Sequence, residues 1–226
     1  MSILVVTPIQ GEIDWFLHSC AAQDIAAQTV LMGNLSAVRF PALDMIVALG
    51  GLGKTQFGVQ TQHLLDQCDT VELMICAGAA GALSTELAIG DVVIGTETVE
   101  HDIRNHFGKP LLPRFPGDDS TVQGFRTLAE SLNFPLHFGP IASGDEDVID
   151  LARGRAIQQR TGALAVAWEG AGGARACRFN GVPFVEIRGI TDNADHTAAA
   201  DFAQNLQAAL HNVATTVVRW ALARKQ

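Results

Sequence analysis

The sequence predicts an α/β fold of three layers, in which helices flank a mixed, mostly parallel central sheet. Three observations predict it. Short runs rich in β-branched residues alternate with helix-length segments along the chain. These runs are continuously apolar, which is typical of strands buried on both faces. Gly33 and Asn34 separate two further runs, which predicts a hairpin over residues 28–40 and therefore some antiparallel pairing.

The individual elements follow from the same patterns. Apolar, β-branched runs predict strands over residues 3–7, 45–49, 71–76, 92–94, 136–141, 163–166 and 184–188. Apolar residues spaced three and four apart predict helices over residues 11–20, 54–66, 121–132, 148–161, 169–180 and 198–224. Strands that alternate with helices in this way usually form parallel βαβ units.

A single domain over residues 1–226 is predicted, because no linker-like stretch, composition break or internal repeat divides the chain. Residues 101–120 are the exception to the periodic pattern and are rich in proline and glycine. A loop of this length inside a compact domain is usually functional. We expect it to be a lid over a site or a contact between subunits.

Composition excludes several classes of protein. Hydrophobic residues make up 48% of the 226 residues and charged residues 17%, against roughly 25% charged in an average domain, so the chain can fill a core and is not disordered. Asp and Glu outnumber Lys and Arg by 24 to 15, which gives a net charge of −9. The basic residues are scattered, so neither nucleic acid nor an anionic membrane is an expected partner.

The cysteines and the hydropathy pattern predict a cytoplasmic location. Cys20, Cys68, Cys76 and Cys177 lack the spacing of a metal site or a CxxC pair, and most lie in apolar runs, which predicts reduced, buried thiols. No apolar stretch approaches the ~18 residues needed to cross a bilayer. No basic region precedes the first strand, so a secretory leader is not predicted.

Two glycine-rich segments are similar to nucleotide-binding motifs but do not match them. Gly51-Leu-Gly53-Lys-Thr ends like a P-loop, but Ala48 stands where the first glycine of that motif belongs. Residues 77–82, Ala-Gly-Ala-Ala-Gly-Ala, follow a predicted strand with glycine spacing that differs from the dinucleotide fingerprint. We interpret both as tight turns at the carboxyl ends of strands, where open α/β sheets bind ligands.

Three acidic residues stand at similar places, each just after a predicted strand: Glu12, Glu169 and Asp192. Each alone is typical of a first helical turn, where the helix dipole favours a carboxylate. Gathered beyond the ends of neighbouring strands, they could divide acid, base and hydroxyl-binding roles. The histidines lack a metal-binding arrangement and Ser143 lacks a nucleophile elbow, so the carboxylates are the candidate catalytic groups.

Taken together, these segments resemble the purine nucleoside phosphorylase and uridine phosphorylase superfamily, most closely its 5′-methylthioadenosine/S-adenosylhomocysteine nucleosidase branch. The resemblance spans nearly the whole chain. It rests on Glu12 after the first strand, Gly51-Leu-Gly-Lys-Thr, Gly78-Ala-Ala-Gly-Ala-Leu with Ile89-Gly-Asp-Val-Val, Ile141-Ala-Ser-Gly-Asp, Trp168-Glu-Gly-Ala, and Val182-Pro-Phe-Val-Glu-Ile-Arg-Gly-Ile-Thr-Asp-Asn-Ala-Asp. The last two blocks are the most specific.

The resemblance implies a role for each acidic residue. Asp192 gives a proton to purine N7, Glu12 orients and deprotonates the attacking water, and Glu169 holds the ribose hydroxyls. Arg188 orients Glu169, and Phe202 forms an aromatic wall near the sugar. The division is chemically sensible, because fixed carboxylates stabilise a cationic transition state and departure of the base needs a general acid.

The resemblance also implies the rest of the pocket and the assembly. Further substrate contacts are expected from Ile9, Gly78, Ala79, Asp147, Val148 and Trp168. The partner is a small nucleoside, with no metal or organic cofactor. The expected assembly is a homodimer with residues 101–120 near the interface, in which a neighbouring subunit closes the 5′ end of the site.

The implied nucleophile is water rather than phosphate. Phosphorylases of this superfamily carry an arginine two positions before the glycine that matches Gly78 and a serine just after it. This chain has Cys76 and Ala79 at those positions. Without a guanidinium to neutralise it, a phosphate dianion binds poorly, and the carboxylate of Glu12 repels it further. The implied reaction is hydrolysis of the N-glycosidic bond of a 5′-modified purine nucleoside.

Two departures from the family pattern concern the choice of substrate. The pattern Ser-Gly-Asp-x-Phe puts an aromatic ring on the purine, but Asp147 stands at the aromatic position and offers no stacking surface. The usual Glu-Met-Glu is replaced by Ala167-Trp168-Glu169. Three alternatives therefore stay open: a futalosine hydrolase of menaquinone synthesis, a phosphate-dependent nucleoside phosphorylase, and a non-catalytic nucleoside-binding module.

Overall fold

The computed structural model describes residues 2–104, 106–108 and 111–225. Its strands are β1 (Ser2–Thr7), β2 (Gln28–Met32), β3 (Leu35–Phe40), β4 (Met45–Leu49), β5 (Val71–Ala82), β6 (Val92–Glu100), β7 (Arg114–Pro116), β8 (Leu136–Ser143), β9 (Ala165–Ala167) and β10 (Phe184–Asp192). Its helices are α1 (Gln10–Ala21), α2 (Gly53–Asp66), α3 (Asp119–Leu128), α4 (Leu151–Thr161), α5 (Gly170–Asn180) and α6 (Ala198–Ala223).

The strands form one mixed sheet, which confirms the predicted fold class. Strand order is β10-β6-β8-β9-β5-β1-β4-β3-β2, with β7 paired to β6. The pairs β1–β4, β1–β5, β5–β10, β6–β8 and β8–β9 are parallel. The predicted hairpin is present as β2 and β3, which turn at Gly33 with a positive φ of 58° and pair in antiparallel register.

The sheet also closes on itself, which the sequence does not predict. Strand β5 pairs with β1 over its first half, with β10 along most of its length, and with β9 at Gly81 and Ala82. Because β10 also pairs with β6, the strands β5, β10, β6, β8 and β9 form a ring. The predicted glycine-rich turn over residues 77–82 is wrong, since β5 runs through it to Ala82.

Both faces of the sheet are buried, which gives the three layers. Alternate β1 residues point to opposite sides: Ile3 and Val5 join the cluster beneath α1, α3 and α6, while Leu4 and Val6 join the cluster beneath α2 and α5. All four cysteines are free; Cys68 is half-buried and the others are buried. Among the described residues, no helix combines the length and the apolar character that crossing a bilayer requires.

Capping residues fix the helix starts that the periodicity placed wrongly. The side chain of Asp118 accepts a hydrogen bond from the Thr121 backbone N–H at 2.9 Å, so α3 begins before the predicted residue 121. Asp150 accepts one from Arg153 N–H at 2.8 Å, so α4 begins after the predicted residue 148. As a result, residues 144–150 form a loop after β8, and this loop lines the site described below.

The segment 101–120 is not entirely a loop. Residues Arg114–Pro116 form β7 against β6, and Asp119 already belongs to α3. The predicted lid or subunit contact falls partly on Asn105, Lys109 and Pro110, which lie outside the described residues. The described part of the segment exposes Phe107 and Leu111 to solvent.

Candidate active site

A cavity of about 420 Å³ lies at the carboxyl ends of β1, β5, β9 and β10. This is the edge at which ligands bind in α/β sheets. The structure brings the predicted site residues together there, with the exception of Gly78. Those that line the cavity are Ile9, Glu12, Ala79, Asp147, Val148, Trp168, Glu169, Arg188, Asp192 and Phe202.

Glu12 enters the cavity from the first turn of α1. Its Oε2 accepts a hydrogen bond from the Ile9 backbone N–H at 3.0 Å, the interaction of a third helical residue with the residue that caps the helix. Its Oε1 accepts one from the Ala79 N–H of β5 at 3.2 Å. These two bonds hold both carboxyl oxygens of a side chain that is only 3% exposed.

Burial raises the pKa of Glu12 from 4.5 to about 8, against the opposing effect of the Ile9 and Ala79 hydrogen bonds and the positive charge of Arg188. The negative charge of Glu169 adds to the increase. A carboxylate with this pKa is a stronger base than an ordinary glutamate. Such a shift is what a residue that takes a proton near neutral pH requires.

The raised pKa of Glu12 predicts a pH-dependent loss of stability. Between pH 4.5 and 8 the unfolded chain has released the proton of Glu12 while the folded chain keeps it, so the free energy of unfolding falls as pH rises through this window. Glu12→Gln removes the titration, and urea unfolding of this variant should depend less steeply on pH between 5 and 8, by a few kcal/mol in total. Equal pH dependence in the two proteins would show that the pKa of Glu12 is not raised.

Arg188 is buried at the centre of a charged network behind the cavity. Its Nη2 donates to Glu169 Oε2 at 3.1 Å and its Nε donates to Glu186 Oε1 at 2.8 Å. Burial opposes the charged form of the guanidinium, but Cys76 and the surrounding carboxylates raise the pKa of Arg188 further above its ordinary value. The arginine is therefore a fixed cation that holds Glu169 in one orientation.

Glu186 belongs to this charged network, and the sequence analysis did not single it out. It lies on β10 two positions before Arg188, on the same face of the strand, and is 1% exposed. Thr98 Oγ1 donates a hydrogen bond to its Oε2, so one oxygen binds Arg188 and the other is held by β6. Burial raises the pKa of Glu186. The Glu-x-Arg spacing is the signal that could have identified it.

The segment Gly51-Leu-Gly-Lys-Thr holds the side chain of Glu169. The backbone N–H of Gly53, at the first position of α2, donates to Glu169 Oε1 at 3.2 Å. Gly53 has a φ of 77°, a conformation that favours glycine. The ammonium group of Lys54 pairs with Glu100 and Asp102 instead of facing the cavity. The start of α2 therefore supplies its positive dipole end to a carboxylate.

Asp192 stands at the end of β10 on the other side of the cavity. Its Oδ1 accepts a hydrogen bond from the Ala194 N–H at 2.9 Å, and its Oδ2 accepts one from Thr191 Oγ1 at 2.7 Å. Burial raises the pKa of Asp192, and the charges of Asp201 and Asp195 contribute. The shift favours the protonated form, which is the form that a general acid needs.

Two glycines of β5 leave the space that these side chains occupy. A Cβ at Gly78 would lie 2.6 Å from Glu12 Oε1 and 2.7 Å from Arg188 Nη1. A Cβ at Gly81 would lie 2.7 Å from Asp192 Oδ1. Gly78 thus lies behind the carboxylates rather than in the cavity lining. The glycine pattern of β5 reflects close packing against the functional groups, not a turn.

Ser143 fixes the turn that carries Trp168 and Glu169. Its buried hydroxyl donates to the Trp168 carbonyl at 2.7 Å and accepts from the Ala171 N–H at 2.9 Å. The hydroxyl therefore bridges the two backbone groups on either side of Glu169. Its role is structural support of the binding residues, in agreement with the absence of a nucleophile elbow in the sequence.

Ser143→Ala should weaken ligand binding and stability together. The substitution leaves a buried carbonyl and a buried N–H without a partner, which costs about 1–3 kcal/mol of unfolding free energy, and it loosens the turn that carries Glu169. Urea unfolding and calorimetric titration with the substrate measure the two effects. Ser131→Ala, which changes an exposed serine, is the matched control. Normal values of both quantities would contradict this account of Ser143.

Together, the closed sheet and the cavity define a class: an α/β protein with a cavity of the size of a small molecule, lined by carboxylates and one buried arginine. A family model described as the phosphorylase superfamily matches residues 2–220. The chain belongs to this superfamily, and the predicted resemblance is confirmed.

Individual relatives agree with this assignment. The chain is 34% identical over 222 residues, 94% of each chain, to a 5′-methylthioadenosine/S-adenosylhomocysteine nucleosidase of Anoxybacillus flavithermus. Among solved structures it is similar to the enzyme of that name from Neisseria meningitidis in complex with methylthio-immucillin-A, with a TM-score of 0.85, 28% identity, and coverage of 100% of this chain and 99% of the other. It shares its fold with a futalosine hydrolase of Helicobacter pylori, with a TM-score of 0.87, 24% identity, and coverage of 99% and 98%.

Proposed function

We propose that this chain is a nucleosidase that hydrolyses the N-glycosidic bond of a purine nucleoside modified at the 5′ position. The convergence of Glu12, Glu169 and Asp192 on one cavity carries the proposal. The names of the relatives supply the substrate type, which is 5′-methylthioadenosine or S-adenosylhomocysteine. The products are the free base and the ribosyl compound with a hydroxyl at C1′.

In the proposed mechanism, Asp192 assists the departure of the base. The C1′–N9 bond breaks with its electron pair passing to the purine, and protonated Asp192 gives its proton to N7. The purine leaves as a neutral molecule rather than as an anion, which lowers the barrier. The raised pKa of Asp192 supports this role, because burial keeps the proton available.

Glu12 and Glu169 act on the other side of the broken bond. Water adds to C1′ and its proton passes to Glu12; exchange of one proton with solvent then restores Glu12 and Asp192. Glu169, which Arg188 and Gly53 hold in one orientation, accepts hydrogen bonds from the ribose hydroxyls. Its negative charge also stabilises the positive charge that develops on the sugar.

Charge in the cavity supports water over phosphate as the nucleophile. Arg188 is the one cationic side chain in the described lining, and its charge is already paired with Glu169 and Glu186, while Nη1 donates to the Ala79 carbonyl. Cys76 has its thiol against the same guanidinium, at 3.4 Å, and burial raises the pKa of this thiol well above its ordinary value. A phosphate dianion would meet carboxylates here without a free cation to balance them.

The test of the proposed function is chromatographic detection of free base. Five nucleosides are incubated with the protein in phosphate-free buffer and again with added phosphate: 5′-methylthioadenosine, S-adenosylhomocysteine, adenosine, inosine and futalosine. Phosphate-independent release from either of the first two supports the proposal. Faster release of base from futalosine would favour the futalosine hydrolase alternative, which stays open because Asp147 and Trp168 depart from the family pattern. Release only with phosphate, or none from any nucleoside, contradicts hydrolysis.

The proposed assembly is a homodimer. Large apolar side chains are exposed just before α2, on α2 and in the segment 101–120: Leu52, Val59, Phe107 and Leu111. Exposed apolar side chains are typical of protein interfaces when they cluster, and the proposal assigns these four to the contact between subunits. Light scattering should give twice the chain mass of 24.0 kDa, and a mass of 24.0 kDa would reject the dimer.

The cytoplasm is the proposed location, because four free thiols fit a reducing compartment.

A further inference from the structure

Asp147 differs from the other carboxylates that line the cavity. Four of them have their oxygens held by protein groups: Glu12, Glu169 and Asp192 as described above, and Glu146 by a bidentate pair with Arg153, with both distances at 2.6 Å. Asp147 lines the same cavity with its side chain exposed to solvent, and within the described part of the chain it has no hydrogen bond or ion pair with the protein.

The position of Asp147 places it on the side of the cavity where Asp192 lies. Asp147 belongs to the loop between β8 and α4, and the next residue, Val148, packs in a small apolar cluster with Ala194. The backbone N–H of Ala194 is the group that holds Asp192. In the proposed function this is the side of the leaving base, so the loop that carries Asp147 adjoins the base.

A carboxylate without a protein partner is an acceptor that a ligand can satisfy. An ionised carboxylate accepts hydrogen bonds and donates none, so it attracts N–H groups and repels ring nitrogens that carry lone pairs. The purines differ in this respect: adenine offers an exocyclic amine and hypoxanthine a ring N–H, whereas unsubstituted purine as a nucleoside offers neither. Asp147 can therefore distinguish among bases that share one ring system.

We propose that Asp147 is a specificity-determining residue, which accepts a hydrogen bond from an N–H group on the six-membered ring of the substrate's base. The inference rests on the proposed function for the identity of the ligand as a purine nucleoside. It gives the cavity a means of base selection by hydrogen bonding at the position where the family pattern has an aromatic ring. A base with an N–H donor is favoured over one without.

The test compares two nucleosides that differ only in the donor: 5′-methylthioadenosine and its analogue with unsubstituted purine. Asp147→Ala should lower kcat/KM for the first by about tenfold and change it for the second by less than twofold, because a hydrogen bond to a charged group is worth that much or more. Asp147→Asn keeps an acceptor oxygen but loses the charge, so its kcat/KM for 5′-methylthioadenosine should lie between the values of the wild type and of Asp147→Ala. Asp69→Ala, in the exposed turn before β5, is the matched control and should leave kcat/KM unchanged for both nucleosides.

The comparison distinguishes failure of this inference from failure of the proposed function. If the wild type releases base and Asp147→Ala affects both nucleosides equally, or neither, the role of Asp147 is wrong and the nucleosidase stands. If the wild type releases no base, the affinities of the wild type and Asp147→Ala for the two nucleosides are measured by calorimetric titration instead. A tenfold loss of affinity for the adenine compound alone then supports Asp147 as a selector in a binding protein, and equal effects overturn it.

Discussion

Asp192→Asn should lower the rate of base release by roughly 10²-fold or more, because it removes the proton that the departing purine takes up. Asparagine can occupy the site without leaving its hydrogen-bonding neighbours unpaired. Asparagine Oδ1 can still accept from the Ala194 N–H, and Thr191, whose hydroxyl also lies 3.3 Å from the Ala80 carbonyl, can turn to donate there instead. The fold and the nucleoside affinity should therefore be retained, and the loss should fall on kcat.

The matched control for Asp192 is Asp195→Asn. Asp195 is half-buried three positions later, and its charge acts on Asp192 although it does not line the cavity. Single-turnover kinetics on both variants separate chemistry from binding and product release. If Asp192→Asn turns over at a rate near that of the wild type, Asp192 is not the general acid and the proposed mechanism loses its leaving-group step.

Glu12→Gln should have an effect of similar size, a loss of roughly 10²- to 10⁴-fold in hydrolysis with nucleoside affinity largely intact. The glutamine amide cannot take a proton from water. One of the two backbone donors, Ile9 or Ala79, loses its acceptor, so some stability is lost as well. The affinity is expected to remain because ribose binding is assigned to Glu169.

Kinetics and calorimetric titration on the same preparations test this division of roles. Asp14→Asn, on the exposed face of α1, is the control, because it removes a carboxylate from the same helix without touching the cavity. A variant at Glu12 that loses affinity but keeps its kcat would move Glu12 from water activation to ligand binding.

The fold could be predicted from the sequence as far as local patterns determine it. Periodicity identified each of the six α-helices in the described residues, and Gly33-Asn34 identified the hairpin, because these signals are local in the sequence. The closed ring could not be predicted, because the pairing of β5 with both β9 and β10 joins segments about 100 residues apart. Alanine and glycine at residues 77–82 suit a turn locally; burial between neighbouring strands makes them a strand.

The sequence predicted those residues of the candidate site whose type and position after a strand indicate acid–base chemistry. Glu12, Glu169 and Asp192 stand after strands, and parallel strands bring their ends to one edge, so their convergence follows from the pattern. Glu186 was missed because a glutamate within a strand resembles any polar strand residue until its burial against Arg188 is known. Likewise, the sequence does not show that Asp147, unlike the other cavity carboxylates, has no hydrogen-bond partner among the described residues.

The most direct test of the central claim is the source of the oxygen that C1′ gains. The protein is incubated with 5′-methylthioadenosine in ¹⁸O-labelled water without phosphate, and the sugar product is analysed by mass spectrometry. The account predicts one ¹⁸O atom at C1′ of every sugar released, formed at the same rate as free adenine and unchanged when phosphate is added. Formation of a sugar phosphate, with base release that requires phosphate, would contradict it.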